Sequence, residues 1–198
     1  MNDVLNEYED HADALSDVFL TLDSAAIFAP VAEYFPAPPG RVLDLAAGPG
    51  RDARYMADLG FDVTAVEPIE TFRIRGAEVV PEARWIDDRL PELPVVAGLG
   101  ERFDLILMCA VLHHLDPPDR AASIASLGPL LAPGGRAILS RKHMDAGDRA
   151  ADRAELLEHI AAAGLRLIAD PIAPSVRPEN IAMGADWTWA VVEAEAGP

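Results

Sequence analysis

The sequence predicts an α/β protein with a mostly parallel sheet and helices on both of its faces. The main evidence is residues 41–68, where a short apolar run breaks at Gly48 and Gly50, resumes with helical spacing, and leads into a second apolar run closed by Glu67. Two apolar runs joined by one helix form a βαβ unit, whose right-handed crossover places the glycine loop at the carboxyl end of the first strand. The apolar run at residues 103–110 is typical of a strand that helices cover on both faces.

Length and composition are consistent with this fold class and narrow the range of partners. A chain of 198 residues fits one domain and can bury roughly 70% of its unfolded surface. The hydrophobic fraction of 51% is interrupted by charged, proline or glycine residues well before the length of about 20 residues that a membrane span needs. The formal charge of −17 argues against nucleic acid as a partner, because a polyanion would be repelled at long range.

The N-terminal residues and the cysteine usage lead us to expect a cytoplasmic protein. We also expect no membrane partner, and either a monomer or a homodimer. The first fifteen residues are acidic and lack the basic and apolar regions of a signal peptide. Cys109 is the one cysteine, so it cannot form an internal disulfide, and it lies within an apolar strand.

The region before the first strand has apolar residues at helical spacing. Residues 4–35 predict two helices, separated by a cap signal at Asp23. Helices outside the βαβ core are free to cover a ligand, which makes Tyr8 and His11 candidates for a lid. The alternative is that Tyr8 packs within its own amphipathic helix and that His11 is solvated.

The glycine loop has the chemistry of a nucleoside site. Gly48 and Gly50 allow positive φ and leave no Cβ between the backbone and a ligand, and the helix beginning near Arg51 offers unpaired N–H groups to the same space. Glu67, at the tip of the neighbouring strand, is placed to accept hydrogen bonds from a ribose diol.

The sequence of this loop is compatible with two nucleoside cofactors. Gly48, Gly50 and Ala53 satisfy the G-x-G-x-x-A form of the dinucleotide fingerprint, so spacing alone leaves NAD open. Asp44 lies just before the loop, where its charge would repel a pyrophosphate and attract the ammonium and sulfonium of S-adenosylmethionine (SAM). Arg51 is a candidate partner for the carboxylate of the methionine part.

The motifs of this core resemble those of class I SAM-dependent methyltransferases. Residues 42–50 with Glu67 are similar to the first two family motifs, residues 103–115 to the fourth, and residues 130–140 to the turn and fifth strand. The resemblance implies a three-layer sandwich around a Rossmann-like seven-stranded sheet, mostly parallel with the last strand antiparallel, preceded by extra N-terminal helices.

The resemblance also implies roles for residues at the ends of several strands. An acidic residue after the third strand would bind the adenine amino group, so Asp87 or Asp88 is a candidate, and Pro68 would flank the adenine. Cys109 and Ala110 would line the pocket with their backbone. The predicted cofactor residues are Asp44, Ala46, Gly48, Gly50, Arg51, Glu67, Pro68, Asp87, Asp88, Cys109 and Ala110.

Methyl transfer from a sulfonium is an in-line displacement that needs an aligned nucleophile and, for some acceptors, a general base. The candidates are His113, His114 and His143, each near the carboxyl end of a strand, together with Tyr8 from the predicted lid. His114 is our first choice. We predict no metal site, because no pair of His or Cys has zinc-site spacing and the adjacent histidines should point apart.

The last part of the chain predicts one more helix and two strands. Asp152 and Glu155 have the spacing of a capping box for a helix that Gly164 ends, and residues 165–168 and 187–192 form the strands. A loop is predicted between the two strands.

A further likeness is to small bacterial methyltransferases related to the tellurite-resistance type. It lies in Leu90-Pro91, in His143 after the fifth strand, and in Arg177-Pro178 ahead of Trp187-Thr188.

We therefore expect a single methyltransferase domain over residues 1–198, with a helical lid (1–38), a cofactor-binding core (41–140) and a substrate-side part (141–198). The expected reaction is methyl transfer from SAM to N, O or S of a small molecule or short peptide, with S-adenosylhomocysteine (SAH) as product. The alternatives are an NAD(P)-dependent oxidoreductase and a catalytically silent SAM-binding or partner module.

Overall fold

A computed structural model of the chain describes residues 2–143 and 146–194, with one mixed sheet at its centre. The strands are β1 (Arg41–Leu45), β2 (Asp62–Val66), β3 (Arg84–Ile86), β4 (Phe103–Met108), β5 (Leu131–His143), β6 (Leu165–Ala169), β7 (Ile172–Pro174) and β8 (Asp186–Ala194). Seven of them follow the order β3-β2-β1-β4-β5-β8-β6, and the short β7 pairs with β8 outside this path. β8 runs antiparallel to both β5 and β6, so the predicted α/β fold with an antiparallel last strand is confirmed. The sheet therefore has eight strands where seven were predicted, because the additional strand, β7, lies in the segment predicted as a loop.

Helices cover both faces of the sheet. They are α1 (Asn2–Asp10), α2 (Ala12–Leu20), α3 (Ser24–Phe28), α4 (Arg51–Asp58), α5 (Glu70–Val79), α6 (Pro94–Gly98), α7 (Pro117–Ala125), α8 (Leu127–Leu130), α9 (Ala146–Ala162) and α10 (Pro178–Ala182), with 3₁₀ turns at Ala32–Tyr34 and Leu112–His114. Three helices precede β1 where two were predicted, because the chain also breaks at His11, whose φ and ψ are not helical. Asp23 caps α3 as expected, since its carboxylate accepts the N–H groups of Ala25 and Ala26.

The predicted capping box of α9 is wrong. The helix begins at Ala146, so Asp152 and Glu155 lie within it. Their carboxylates instead form ion pairs with Arg141, which is buried at the end of β5. This attraction between a strand end and a helix face explains why two acidic residues occur at capping-box spacing inside a helix. Gly164, with φ +65°, follows the end of α9 as predicted.

Alternating side chains of the strands form a separate apolar cluster on each face of the sheet. Leu43 and Ile106 belong to one cluster, whereas Val42 and Leu105 belong to the other. A third, smaller cluster joins the N-terminal helices to Phe72 of α5. This third cluster holds α1 and α2 beside the carboxyl ends of the parallel strands, where α/β folds bind their ligands.

Candidate active site

A cavity of about 650 Å³ lies at the carboxyl ends of β1, β2 and β4. The loops after these strands form its floor, and Tyr8 and Phe19 of the N-terminal helices contribute to its cover. Lys142 of β5 and Trp187 of β8 line the far wall. The volume falls in the range of roughly 300–1,000 Å³ that is typical of pockets for cofactors and small ligands.

The two glycines of the loop have different structural roles. Gly48 lines the cavity with φ +56°, and a Cβ added there would meet no atom of the described part of the chain within 4 Å. Gly50, with φ +91°, does not line the cavity, and a Cβ on it would lie 3.2 Å from the ring of Trp85. The expected close approach of backbone to ligand therefore applies to Gly48, while Gly50 provides room for Trp85.

Glu67 closes the glycine loop from the neighbouring strand. Its Oε2 accepts the N–H of Gly48 at 2.7 Å, and its Oε1 accepts the N–H of Ile69 at 2.9 Å. Glu67 thus occupies the Gly48 N–H, and its carboxylate would repel a phosphate group bound at this loop. Each carboxylate oxygen retains a second lone pair that can accept from a hydroxyl group. Burial raises the pKa of Glu67 to about 7, against the lowering effect of the two N–H groups.

Asp44 does not lie on the cavity wall, contrary to our expectation that its charge faces the ligand. Its carboxyl group is buried behind the loop, and its Oδ2 has no hydrogen-bond partner among the residues the structure describes. Burial, and next the charge of Asp52, raise the pKa of Asp44 well above its ordinary value. Arg51 lines the cavity, but it donates from Nε and Nη2 to the carboxylate of Asp52, at 2.8 and 2.6 Å.

The structure separates the two aspartates that follow β3. Asp88 is buried on the cavity wall, and its Oδ2 accepts the N–H groups of Val95 and Val96 at the start of α6. Asp87 is exposed and forms an ion pair with Arg73 at 3.3 Å. Only Asp88 therefore remains beside the space predicted for the adenine.

Backbone strain marks three of the loops around the cavity. Ala46, Leu93 and Ala110 have φ of +59°, +45° and +58°, and all three line the cavity. Such values are uncommon for residues that carry a Cβ. The N–H of Ala110 donates to Oγ of Ser140 at 2.9 Å, which helps to hold this conformation. Pro68 and Cys109, two of the predicted cofactor residues, also line the cavity. Burial raises the pKa of the Cys109 thiol.

Tyr8, His113 and His114 come together on the cavity wall. The Tyr8 hydroxyl lies 3.0 Å from Nε2 of His114, and the two histidine rings have centroids 4.2 Å apart. The expectation that these adjacent side chains point apart is wrong, because they lie in a tight 3₁₀ turn instead of an α-helix or strand. Burial lowers the pKa of His113 to about 3 and lowers the pKa of His114, so both rings are neutral near pH 7.

His143 does not lie with Tyr8, His113 and His114. It is buried outside the cavity lining, with Nδ1 donating to Asp152 and Nε2 lying beside Oγ1 of Thr188, both at 2.9 Å. His11, the other candidate for the lid, is exposed, and its ring contacts the backbone carbonyl of Glu7.

Sequence reasoning missed the polar residues of the far wall. Lys142 lines the cavity because β5 extends to His143, beyond the predicted end of that strand, and alternation sends Lys142 and His143 to opposite faces. Asn180 of α10 also lines the cavity. The signal that could have found Lys142 is the period of two along the longer strand.

Within residues 2–143 and 146–194, no group of three or more His, Cys, Asp or Glu side chains is arranged to hold a metal ion. Of the helices in the same ranges, none has both the length and the apolar character needed to cross a membrane.

A family model described as a methyltransferase domain matches residues 19–195. The chain therefore belongs to this methyltransferase family. Curated relatives include an uncharacterized methyltransferase of Synechocystis sp., 32% identical over 98 residues (50% of this chain, 45% of the relative). Another is a ubiquinone biosynthesis O-methyltransferase of Psychrobacter cryohalolentis, 33% identical over 105 residues (50% of this chain, 40% of the relative). The matches span less than half the length of these relatives.

Solved structures show the same fold. The 1,6-didemethyltoxoflavin-N1-methyltransferase of Burkholderia thailandensis, with bound 1,6-didemethyltoxoflavin and SAH, superposes with a TM-score of 0.71 at 24% identity, covering 98% of this chain and 87% of that one. The glycopeptide N-methyltransferase MtfA in complex with SAM gives a TM-score of 0.65 at 19% identity, covering 88% of this chain and 95% of that one. Our expectation of a class I methyltransferase fold is confirmed, and the narrower likeness to the tellurite-resistance type stays a prediction.

Proposed function

We propose that this protein transfers a methyl group from SAM to N, O or S of a small molecule or short peptide. One observation carries the proposal: Glu67 binds the Gly48 N–H and places a carboxylate at the glycine loop, which disfavours a pyrophosphate there, in a cavity that is large enough for a nucleoside. The solved methyltransferases of the same fold that were crystallised with SAM or SAH support it.

The residues on the cavity floor fit this cofactor. Glu67 would hold the ribose hydroxyls through its remaining lone pairs, and Pro68 and Asp88 would border the adenine. The open side of Gly48 leaves room for the methionine part beside the loop. When bound, SAM supplies an electrophilic methyl group on a sulfonium.

The Tyr8–His114 pair would take up the proton that the acceptor loses. The hydrogen bond of 3.0 Å joins the hydroxyl to a neutral imidazole, so a proton that reaches the pair ends on His114 as imidazolium. Burial lowers the pKa of His114 and thereby favours release of this proton to water. His143 has no comparable access, because both of its ring nitrogens already have partners.

Residues 1–198 would act as one domain, with residues 1–38 as a lid over the cavity, residues 41–140 holding the cofactor, and residues 141–198 on the acceptor side. We also propose a cytoplasmic location and a monomer or homodimer.

Equilibrium binding tests the cofactor. We expect SAM and SAH to bind in the micromolar range and NAD and NADPH not to bind. At pH 8, above the pKa of about 7 of Glu67, the Glu67→Gln variant should bind SAH about 10- to 100-fold more weakly, since hydrogen bonds to a charged group are worth about 1.5–3 kcal/mol. Asp87→Asn is the matched control, because it neutralises an exposed carboxylate outside the cavity and should leave SAH affinity unchanged.

The same assay separates the alternatives. Tight NAD(P) binding without SAM binding would favour an oxidoreductase. SAH binding with no SAH release from any N, O or S acceptor in a broad panel would favour a silent binding module.

A further inference from the structure

Two of the four Arg and Lys side chains that line the cavity lie on its β5 and α10 side, whereas Arg51 and Arg89 follow β1 and β3. Lys142 extends from β5, and Arg177 lies just before α10. The chain as a whole carries a formal charge of −17, so two neighbouring cations on one cavity wall run against its overall composition. The acidic residues of the cavity wall, Asp52, Glu67 and Asp88, all follow β1, β2 or β3.

A chain of hydrogen bonds through two buried polar side chains links the amine of Lys142 to the backbone of Arg177. Nζ of Lys142 donates to Oδ1 of Asn180 at 2.9 Å, and Nδ2 of Asn180 donates to Oγ of Ser175 at 3.1 Å. The backbone N–H of Arg177 donates to the same Oγ at 3.3 Å. Asn180 and Ser175 are both buried. The loop is therefore built so that Lys142 and Arg177 approach the cavity together.

This arrangement is unfavourable in the absence of an anion. Burial, and next the charge of Arg177, lower the pKa of Lys142. Nζ of Lys142 contacts a neutral amide, and Arg177 has an ion pair only with the exposed Glu179, at 3.7 Å, among the described residues. An anionic group between the two cations would relieve their mutual repulsion and form charge-assisted hydrogen bonds.

Aromatic side chains line the cavity beside the cations. His113 and Trp187 form an edge-to-face pair with ring centroids 5.7 Å apart, and Tyr8 contacts His114 in the same way at 5.3 Å. All four line the cavity. Such surfaces favour a flat aromatic body over an extended aliphatic one.

We propose that the methyl acceptor is a small aromatic compound bearing an anionic oxygen group, which Lys142 and Arg177 recognise together. This inference rests on the proposed function, because it names the acceptor class for the same cavity. The two residues select the acceptor by its charge, and the Tyr8–His114 pair stays free for the proton of the methylated atom.

Binding to the SAH-saturated protein tests the inference, with calorimetry as the readout. The probes are 4-hydroxybenzoate and anthranilate, each against its uncharged amide, with phenyl phosphate to tell which oxyanion is preferred. We expect the anions to bind about tenfold more tightly than the amides, and this preference to weaken with added salt. In the double variant Lys142→Gln/Arg177→Gln the preference should fall below about threefold, with SAH affinity unchanged.

The matched control is Arg75→Gln/Arg166→Gln, which removes the same charge from exposed positions outside this cavity and should keep the preference. Equal affinity for anions and amides in the unmodified protein, or a preference that survives in the Lys142/Arg177 variant, would overturn the inference. A loss of SAH affinity in that variant would also overturn it, since the cations would then serve the cofactor. Failure of the unmodified protein to bind SAH would instead reject the proposed function.

Discussion

Replacing Glu67 by Gln should change how the stability of the protein depends on pH. The pKa of Glu67 is raised to about 7 in the folded protein, from an ordinary value of 4.5. Between these two values the folded protein binds more protons than the unfolded chain, so the free energy of unfolding falls as pH rises through this window. Burial of the charged carboxylate is the cause, and Gln cannot lose a proton there.

The size of the effect follows from the shift. A difference of about 2.5 pKa units corresponds to roughly 3 kcal/mol, of which about 2 to 3 kcal/mol develops between pH 5 and pH 8. The stability of the unmodified protein relative to Glu67→Gln should therefore be about 2 to 3 kcal/mol greater at pH 5 than at pH 8. Other titrating groups cancel in this comparison because both proteins contain them.

Urea unfolding of the ligand-free proteins at the two pH values measures this difference. Glu78→Gln is the matched control, because it makes the same substitution at an exposed position of α5 and should differ from the unmodified protein by less than about 0.5 kcal/mol at both pH values. A pH-dependent difference below about 1 kcal/mol for Glu67→Gln would refute the conclusion that burial raises the pKa of this carboxyl group.

Four further substitutions, in two pairs, test the packing around Trp85 and the assignment of the histidines. Gly76→Ala should destabilise the protein by about 1–3 kcal/mol in urea unfolding, since its Cβ would lie 2.1 Å from the Trp85 ring. Gly98→Ala, whose Cβ would meet no atom of the described residues within 4 Å, should be neutral or slightly stabilising, and equal effects of the two substitutions would contradict this reasoning. His114→Gln should lower turnover about 10²- to 10⁴-fold with SAH affinity kept. His143→Gln should instead lower stability by about 1–3 kcal/mol and leave turnover of the folded enzyme nearly unchanged, and the reverse pattern would exchange their roles.

Much of the fold could be predicted because the strong patterns are local. The βαβ unit follows from two apolar runs around a glycine loop, and the unbroken apolar β4 follows from cover on both faces. The start of α9 could not be predicted, because Asp152 and Glu155 form ion pairs with Arg141, which lies in β5 and not in the helix. Ion pairs between elements leave no periodic signal in the sequence.

The candidate site shows a similar division. The ends of the parallel strands identify the cavity, but they do not say which side chains reach it. Val42 and Asp44 share one face of β1 by alternation, and that face packs against α4, so Asp44 is buried behind the loop. Glu67 reaches the cavity because it lies past the end of β2, outside the alternating pattern. The succession of strands along the chain can be predicted from the sequence. The side of the sheet on which each end residue lies, and what covers it, depends on the neighbouring helix.

The distribution of backbone strain supports the assignment of the cavity as the functional site. Among the described residues, every position with positive φ outside Ala46, Leu93 and Ala110 is a glycine, and these three non-glycine residues all line one cavity. Each costs roughly 1–2 kcal/mol, so together they take a substantial share of the 5–15 kcal/mol that stabilises a typical domain. Glycine at these positions would relieve the strain but would leave the loops freer in the absence of ligand. The small Cβ of Ala46 and of Ala110 instead restricts the loops after β1 and β4 while still allowing the left-handed conformation, which keeps the cavity floor formed before a ligand binds.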